Sequence, residues 1–218
     1  LLSGVPVPFA FGGTTIALAA IYDFAPSALF ATSYTQLSSV TLLAIPLFII
    51  SGGIMEKGRI GEALINWVNV FVGRLKSSLT WTVCIASAVF GSICGSGAAT
   101  LSCIGSIAAP MMNKKRYPKH VAAAVACCAA PLGLLIPPSA MQILVAWTLG
   151  TSVLAGFLAI VVPGIILTVL LGVVSAFLLR GEADIVRDEK VSAAEWGRMF
   201  VNRTFSAIPA LIMPFIIL

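Results

Sequence analysis

The chain alternates long apolar runs with short polar breaks, and the breaks differ in charge. An apolar run over residues 4–22 is just long enough, as a helix, to cross a hydrocarbon core of about 30 Å. Asp23-Phe24-Ala25-Pro26-Ser27 ends it, and the stretch from there to Ser39 reads as a loop without Lys or Arg, hence on the outer side. A second run over residues 40–55 holds Pro46, which predicts a kink or the start of its deeper part. It returns to Glu56-Lys57-Gly58-Arg59, a basic turn expected in the cytoplasm. Residues 58–76 change pattern. Ile60, Leu64, Trp67, Val68, Phe71 and Leu75 share one helical face, and Arg59, Glu62, Asn66, Asn69, Gly73 and Lys76 the other. This predicts an amphipathic helix lying in the membrane interface, which leaves the chain on the side where it began.

Residues 79–110 contain no acid, no base and no histidine, yet a glycine and serine knot, Gly91-Ser92-Ile93-Cys94-Gly95-Ser96-Gly97, sits at their centre. Each half is about 15 residues, or about 22 Å of helix, short of a full crossing. Arg74 and Lys76 precede the stretch, and Lys114, Lys115, Arg116 and Lys119 follow it. Anchors of one sign at both ends predict a re-entrant hairpin that turns at the knot. The loop after it, 113–120, includes His120, read as a loop histidine among cations.

Residues 121–149 form a second unusual run, interrupted by Pro137-Pro138. Two prolines remove two amide donors and clash with the preceding turn, so the helix breaks there. Unpaired backbone persists at bilayer depth only where protein or a polar cavity surrounds it. Gly150-Thr151-Ser152 is an uncharged outer turn, and residues 151–179, loosened by Pro163-Gly164, cross back to Arg180. Residues 180–204 form a polar, cytoplasmic linker. Within it the capping-box pattern Ser192-Ala193-Ala194-Glu195, followed by Trp196, Met199, Phe200 and Arg203, predicts a short surface helix. Residues 205–218 start another span. Loop charge alternates consistently along the whole chain only if residues 79–110 are re-entrant.

Composition agrees. The 218 residues are 59% hydrophobic and 10% charged, with mean hydropathy +1.06, against about 25% charged in soluble domains. The net charge of +5 is clustered, with no charged residue between His120 and Arg180. That distribution follows the positive-inside rule and argues against nucleic acid as a partner. The five cysteines, Cys84, Cys94, Cys103, Cys127 and Cys128, lie in apolar runs without zinc spacing and are expected to be buried, reduced hydrophobes. Both ends of the chain read as parts of apolar helices, so it is expected to be a segment of a longer, multi-pass protein.

No HExxH, GxSxG or Walker pattern is present, which argues against an enzyme. A carrier site for anions and sodium fits better. Half-helices meeting at mid-membrane offer amides at one N-terminus and carbonyls at another C-terminus. Ser92, Ser96, Thr100 and Ser139 add hydroxyls, while Gly91, Gly95 and Gly97 permit positive φ and close backbone approach. Tight helix packing through Gly91-x-x-x-Gly95 is the competing explanation. The proline break, at similar depth, favours a ligand site. A non-transporting scaffold would need neither feature, and no filter repeat suggests a channel.

Leu43-Ala44-Ile45-Pro46-Leu47-Phe48-Ile49 with Gly52 and Met55-Glu56, the hairpin, Pro110-Met111-Met112 before the basic loop with Tyr117, Ile136-Pro137-Pro138-Ser139, Pro163-Gly164 and Met213-Pro214 occur in this order. Together they resemble the large membrane subunit of tripartite ATP-independent periplasmic (TRAP) transporters. The resemblance implies an all-α polytopic protein of the ion-transporter type, built from two inverted repeats of which this chain is the first. It implies residues 1–57 as scaffold spans, 58–76 as an arm helix and 77–150 as part of the transport domain. The implied activity is sodium-coupled import of organic acids by an elevator mechanism in a bacterial inner membrane. The implied partners are a periplasmic substrate-binding protein, a small four-helix membrane subunit and membrane lipid, with sodium as co-transported ion. A stand-alone sodium/dicarboxylate or sodium/proton carrier is the alternative. On the resemblance, Gly95, Ser96, Gly97, Thr100, Pro137, Pro138 and Ser139 are expected at the substrate, and Gly91, Ser92, Cys94 and Ser96 at sodium. The family tip usually reads Ser-Gly-Ser; here it is Cys94-Gly95-Ser96.

Overall fold

Helices form wherever the apolar runs lack turn residues. The computed structural model describes residues 4–22, 25–58, 60–73, 77–181, 198, 200–205 and 207–208, and among these no strand is present. The chain divides into two units, Leu1–Leu42 and Leu43–Leu218.

The first unit contains α1 (Val7–Ile21) and α2 (Pro26–Leu37). At 15 residues, α1 is about 22 Å long, shorter than the span expected. The loop expected up to Ser39 is instead the helix α2. Pro26 stands in its first turn, where a missing N–H costs nothing, and no Gly or Pro interrupts residues 27–37. α3 (Val40–Lys57) runs from one unit into the next and continues through Pro46. Glu56 and Lys57 therefore belong to its last turn and not to a loop.

The second unit is organised around α5 (Ser78–Cys94), most of whose residues are buried against α4 (Ile60–Val72), α8 (Lys119–Ala129), α9 (Leu132–Leu135) and α11 (Val153–Leu178), while Trp81, Ile85 and Val89 form a half-buried face. Buried hydroxyls in a helix need partners, and those of α5 find them by back-bonding. Thr80 Oγ1 donates to the Ser77 carbonyl at 2.8 Å, Thr82 Oγ1 to that of Ser78 at 2.8 Å, and Ser92 Oγ to that of Val89 at 2.7 Å. After a two-residue turn the chain returns through α6 (Gly97–Thr100), a π-helical segment (Leu101–Gly105) and α7 (Ser106–Lys114). Two helical arms joined at the knot are present, as the pattern predicts. The arms of 17 and 18 residues are about 25 and 27 Å long, slightly longer than expected. The π segment had no sequence signal.

The basic loop is also shorter than expected. Lys119 and His120 open α8 behind Pro118, leaving Lys115 and Arg116 in the turn and Tyr117 buried. The following run breaks where Pro137-Pro138 predicts, between α9 and α10 (Ala140–Thr148), with a bend of 46°. A lesser interruption at Ala130-Pro131 separates α8 from α9. Gly150, at φ 65°, turns the chain into α11.

α4 is amphipathic as expected, but rotated. Gly61, Leu64, Ile65, Val68 and Val72 are buried, whereas Phe71 is exposed and Trp67 half-buried. The two asparagines of the polar face also meet protein. Asn69 Oδ1 lies 3.3 Å from Thr82 Oγ1, and Arg203 donates to the Asn66 carbonyl at 3.0 Å. Trp67, from the expected apolar face, donates its Nε1 proton to Thr204 Oγ1 at 3.1 Å. The predicted capping box at 192–195, with Trp196 and Met199, lies outside the described residues, while Phe200 and Arg203 are helical. Cys127 and Cys128 are exposed, contrary to expectation, while Cys84, Cys94 and Cys103 are buried.

By length and composition α3 and α11 can each cross a membrane, and the bent α8–α10 run makes a third candidate among the described residues. The regular structure of the described residues is thus helical throughout, with apolar helices of the kind that membrane proteins carry.

Candidate functional site

Two residues make the hairpin tip. α5 ends at Cys94, and Gly95 adopts the left-handed conformation, φ 62°, donating its N–H to the Gly91 carbonyl at 2.7 Å. Glycine takes this conformation without the penalty a Cβ brings. Ser96 caps the return arm: its Oγ accepts from the Ala99 N–H at 3.3 Å, and its carbonyl accepts from Thr100 Oγ1 at 2.8 Å. The seven-residue knot therefore contracts to Gly95-Ser96. Gly91 and Ser92 lie inside α5, where burial keeps the helical ladder intact, and Gly97 opens α6.

Small residues hold the tip against three other helices. A Cβ placed on Gly91 would lie 2.5 Å from the Gly133 Cα and 2.9 Å from Thr100 Oγ1; one on Gly52 would lie 2.6 Å from the Cys94 Cβ; one on Gly95 would lie 3.2 Å from the Ala140 nitrogen. The tip is thus seated between α3, α9 and the start of α10. The proline break reaches α11 in the same way, since a Cβ on Gly164 would lie 2.9 Å from the Leu135 carbonyl oxygen. Gly91 serves backbone contact, and Gly95 serves the turn.

Ser139 stands directly before Ala140 as the N-cap of α10. A serine here ordinarily accepts from an amide of the first turn, but this one makes no cap bond. Its side chain is fully buried, and its Oγ has no hydrogen-bond partner among the described residues. A buried, unpaired hydroxyl costs about 1–3 kcal/mol, and the first amides of a helix have no intrahelical acceptor. The Gln142 and Ile143 amides are accepted by the Ser139 carbonyl, both at 3.1 Å, so it is the amides of Ala140 and Met141, with the Ser139 hydroxyl, that face the hairpin tip without a helical acceptor.

At the α5 side the chemistry is that of acceptors. The last carbonyls of a helix have no intrahelical donor, although that of Gly91 is taken by Gly95. Cys94 Sγ lies 3.4 Å from Thr100 Oγ1 and 3.4 Å from the Ser96 carbonyl oxygen. Ser92 Oγ is committed to Val89. Of the residues singled out from the sequence, Gly91, Cys94, Gly95, Ser96 and Thr100 cluster at the tip, with Ser139 next to it through Ala140. Gly97 faces Ala130 and Leu134 at ordinary contact distance. Pro137 and Pro138 are joined by a cis peptide bond in the break, Pro137 half-buried and Pro138 buried.

Sequence reading missed Gly52, Gly133 and Ala140, whose small size matters only because other helices approach them. It also placed Glu56 in a turn. Glu56 instead lines a cavity of about 480 Å³ with Gly52, Cys94, Gly95, Ser96 and Ala140, and accepts from Ser102 Oγ at 3.2 Å. Its distance in sequence from the hairpin concealed this.

Comparison with known proteins gives the arrangement a family. The chain is 35% identical over its whole length to uncharacterized protein YgiK of Salmonella typhimurium, covering 50% of that protein. It is 38% identical to the C4-dicarboxylate TRAP transporter large permease protein DctM of Pseudomonas aeruginosa, over 72% of this chain and 36% of that one. To the ectoine TRAP transporter large permease protein TeaC of Halomonas elongata it is 31% identical, over 73% of this chain and 36% of the relative. The chain spans half or less of the length of these relatives. The profile of the DctM component of the tripartite ATP-independent periplasmic transporters matches residues 1–218, and the chain belongs to that family.

Proposed function

We propose that this chain forms part of a secondary importer of small organic acids, driven by sodium, that moves its hairpin and broken helix as an elevator. In this reading residues 79–110 are re-entrant and the chain is the first of two inverted repeats in a bacterial inner membrane. A periplasmic binding protein delivers the substrate and a small four-helix subunit completes the membrane complex. The observation that carries the proposal is the Ser139 hydroxyl at the start of α10, buried and without a partner among the described residues, next to Ala140, which packs on the Gly95 turn.

An anionic group suits that place. The helix N-terminus supplies amide donors and a favourable dipole end, and Ser139 Oγ supplies a hydroxyl donor. The sequence has no Lys or Arg between Lys119 and Arg180, so recognition rests on dipoles and hydroxyls rather than on a fixed positive charge. Transported sodium would neutralise the substrate's charge from the acceptor side, held by the free carbonyls at the end of α5 and by Ser96. Relatives named for C4-dicarboxylates and for ectoine share a carboxylate as the group such a site would read.

Sodium-driven uptake of organic acids, measured in proteoliposomes with the cognate binding protein, tests this. Ser139→Ala is expected to raise the substrate concentration for half-maximal uptake, and Ser96→Ala the sodium concentration. If both variants keep wild-type dependence on substrate and sodium, the site assignment fails. Uptake at full rate without a binding protein would instead indicate a stand-alone carrier.

A further inference from the structure

We infer that the chain carries a binding site for one anionic phospholipid, formed between the start of α8 and the end of α11 and separate from the transport site. A cavity of about 370 Å³ opens there, lined among others by His120, Ala124, Cys128, Val174, Ser175 and Leu178. That volume lies within the range of about 300–1,000 Å³ typical of small-molecule sites. From His120 to Cys128 the wall descends about 12 Å along α8, most of the depth of one leaflet's hydrocarbon, which is about 15 Å.

The wall excludes a polypeptide and suits an acyl chain. Its lining below His120 is apolar apart from Ser175, whose Oγ already donates to the Gly172 carbonyl at 3.0 Å. An extended peptide would leave its N–H and C=O groups unpaired there. The mouth has the opposite character. His120 lines it, Lys119 precedes His120, and Arg180 follows the lining residue Leu179, its guanidinium 5.5 Å above the Phe177 ring. Lys119 and Arg180 are both exposed. None of the residues that line the cavity is acidic. A phosphate at this mouth meets cations, while one acyl chain fills the cavity below it. Basic pockets between membrane helices are a recognised setting for anionic headgroups.

The test uses the complete polypeptide carrying this chain, purified in mild detergent from membranes containing phosphatidylglycerol and phosphatidylethanolamine. Native mass spectrometry is expected to find one phosphatidylglycerol retained in preference to phosphatidylethanolamine. Two variants separate the parts of the site: Lys119→Gln with Arg180→Gln removes the charged mouth, and Ala124→Trp fills the cavity. Each is expected to cut phosphatidylglycerol retention at least fivefold. A photoreactive residue at position 174 is expected to crosslink to lipid. Equal retention of the two lipids, retention unchanged in either variant, or a crosslink to polypeptide would each overturn the inference. The crosslink and the lipid preference are read on otherwise unaltered lining residues, so they decide the matter even if a variant misfolds.

Discussion

Gly91 of the hairpin and Gly133 of the broken helix meet backbone to backbone, so closely that a Cβ on Gly91 would lie 2.5 Å from the Gly133 Cα. No side chain fits between them. This contact joins the two discontinuous elements of the chain and sets how near the Gly95 turn comes to Ser139.

Gly91→Ala and Gly133→Ala are therefore expected to destabilise the protein, each by about 1–3 kcal/mol, the usual cost of overpacking a filled interior. Thermal unfolding in detergent should place both below wild type. Gly97→Ala is the control, because its Cβ would find its nearest neighbour at 3.6 Å; an equal loss there would refute the close-contact explanation.

At Gly95 the constraint is conformational as well as steric. With φ at 62°, a side chain costs about 1–2 kcal/mol, and Asn tolerates the region better than a β-branched residue does. The expected stability order is Gly, then Asn, then Val, measured by thermal unfolding.

Ser139 should show stability and function moving apart. Removing an unpaired buried hydroxyl relieves a cost of about 1–3 kcal/mol, so Ser139→Ala is expected to match or exceed the wild-type unfolding temperature while uptake weakens. A clear fall in stability would mean that the hydroxyl has a partner in the folded protein.

Cys94 holds a soft sulfur beside Thr100 Oγ1 and the Ser96 carbonyl. Sodium prefers oxygen ligands, as hard cations do. Cys94→Ser is expected to lower the sodium concentration for half-maximal uptake, and an unchanged sodium curve would exclude position 94 from the ion's surroundings.

The re-entrant reading makes a prediction about sidedness. In a cysteine-free background, Lys57→Cys and Asn113→Cys, both at exposed positions, are expected to react with an impermeant reagent from the same membrane face. Thr151→Cys should react from the opposite face. Labelling of positions 57 and 113 from different faces would refute the hairpin's re-entry.

What the sequence determined by itself was local. An apolar run needs a helix in lipid, Pro137-Pro138 cannot continue one, and a Gly-Ser pair between two apolar halves turns the chain; the hairpin and the break follow from these rules. Where such rules are ambiguous, packing decided. Residues 26–37 could be loop or helix, Gly91 could be turn or contact, and α4 could present several faces. Gly133 pressing on Gly91 settles the second, and the burial of Leu64, Ile65 and Val68 the third. The tertiary structure alone brought Glu56 and Gly52 to the Gly95-Ser96 turn and left Ser139 Oγ buried without a partner among the described residues. Proximity between residues distant in the chain depends on how whole helices stack, and a single sequence does not encode that in any local pattern.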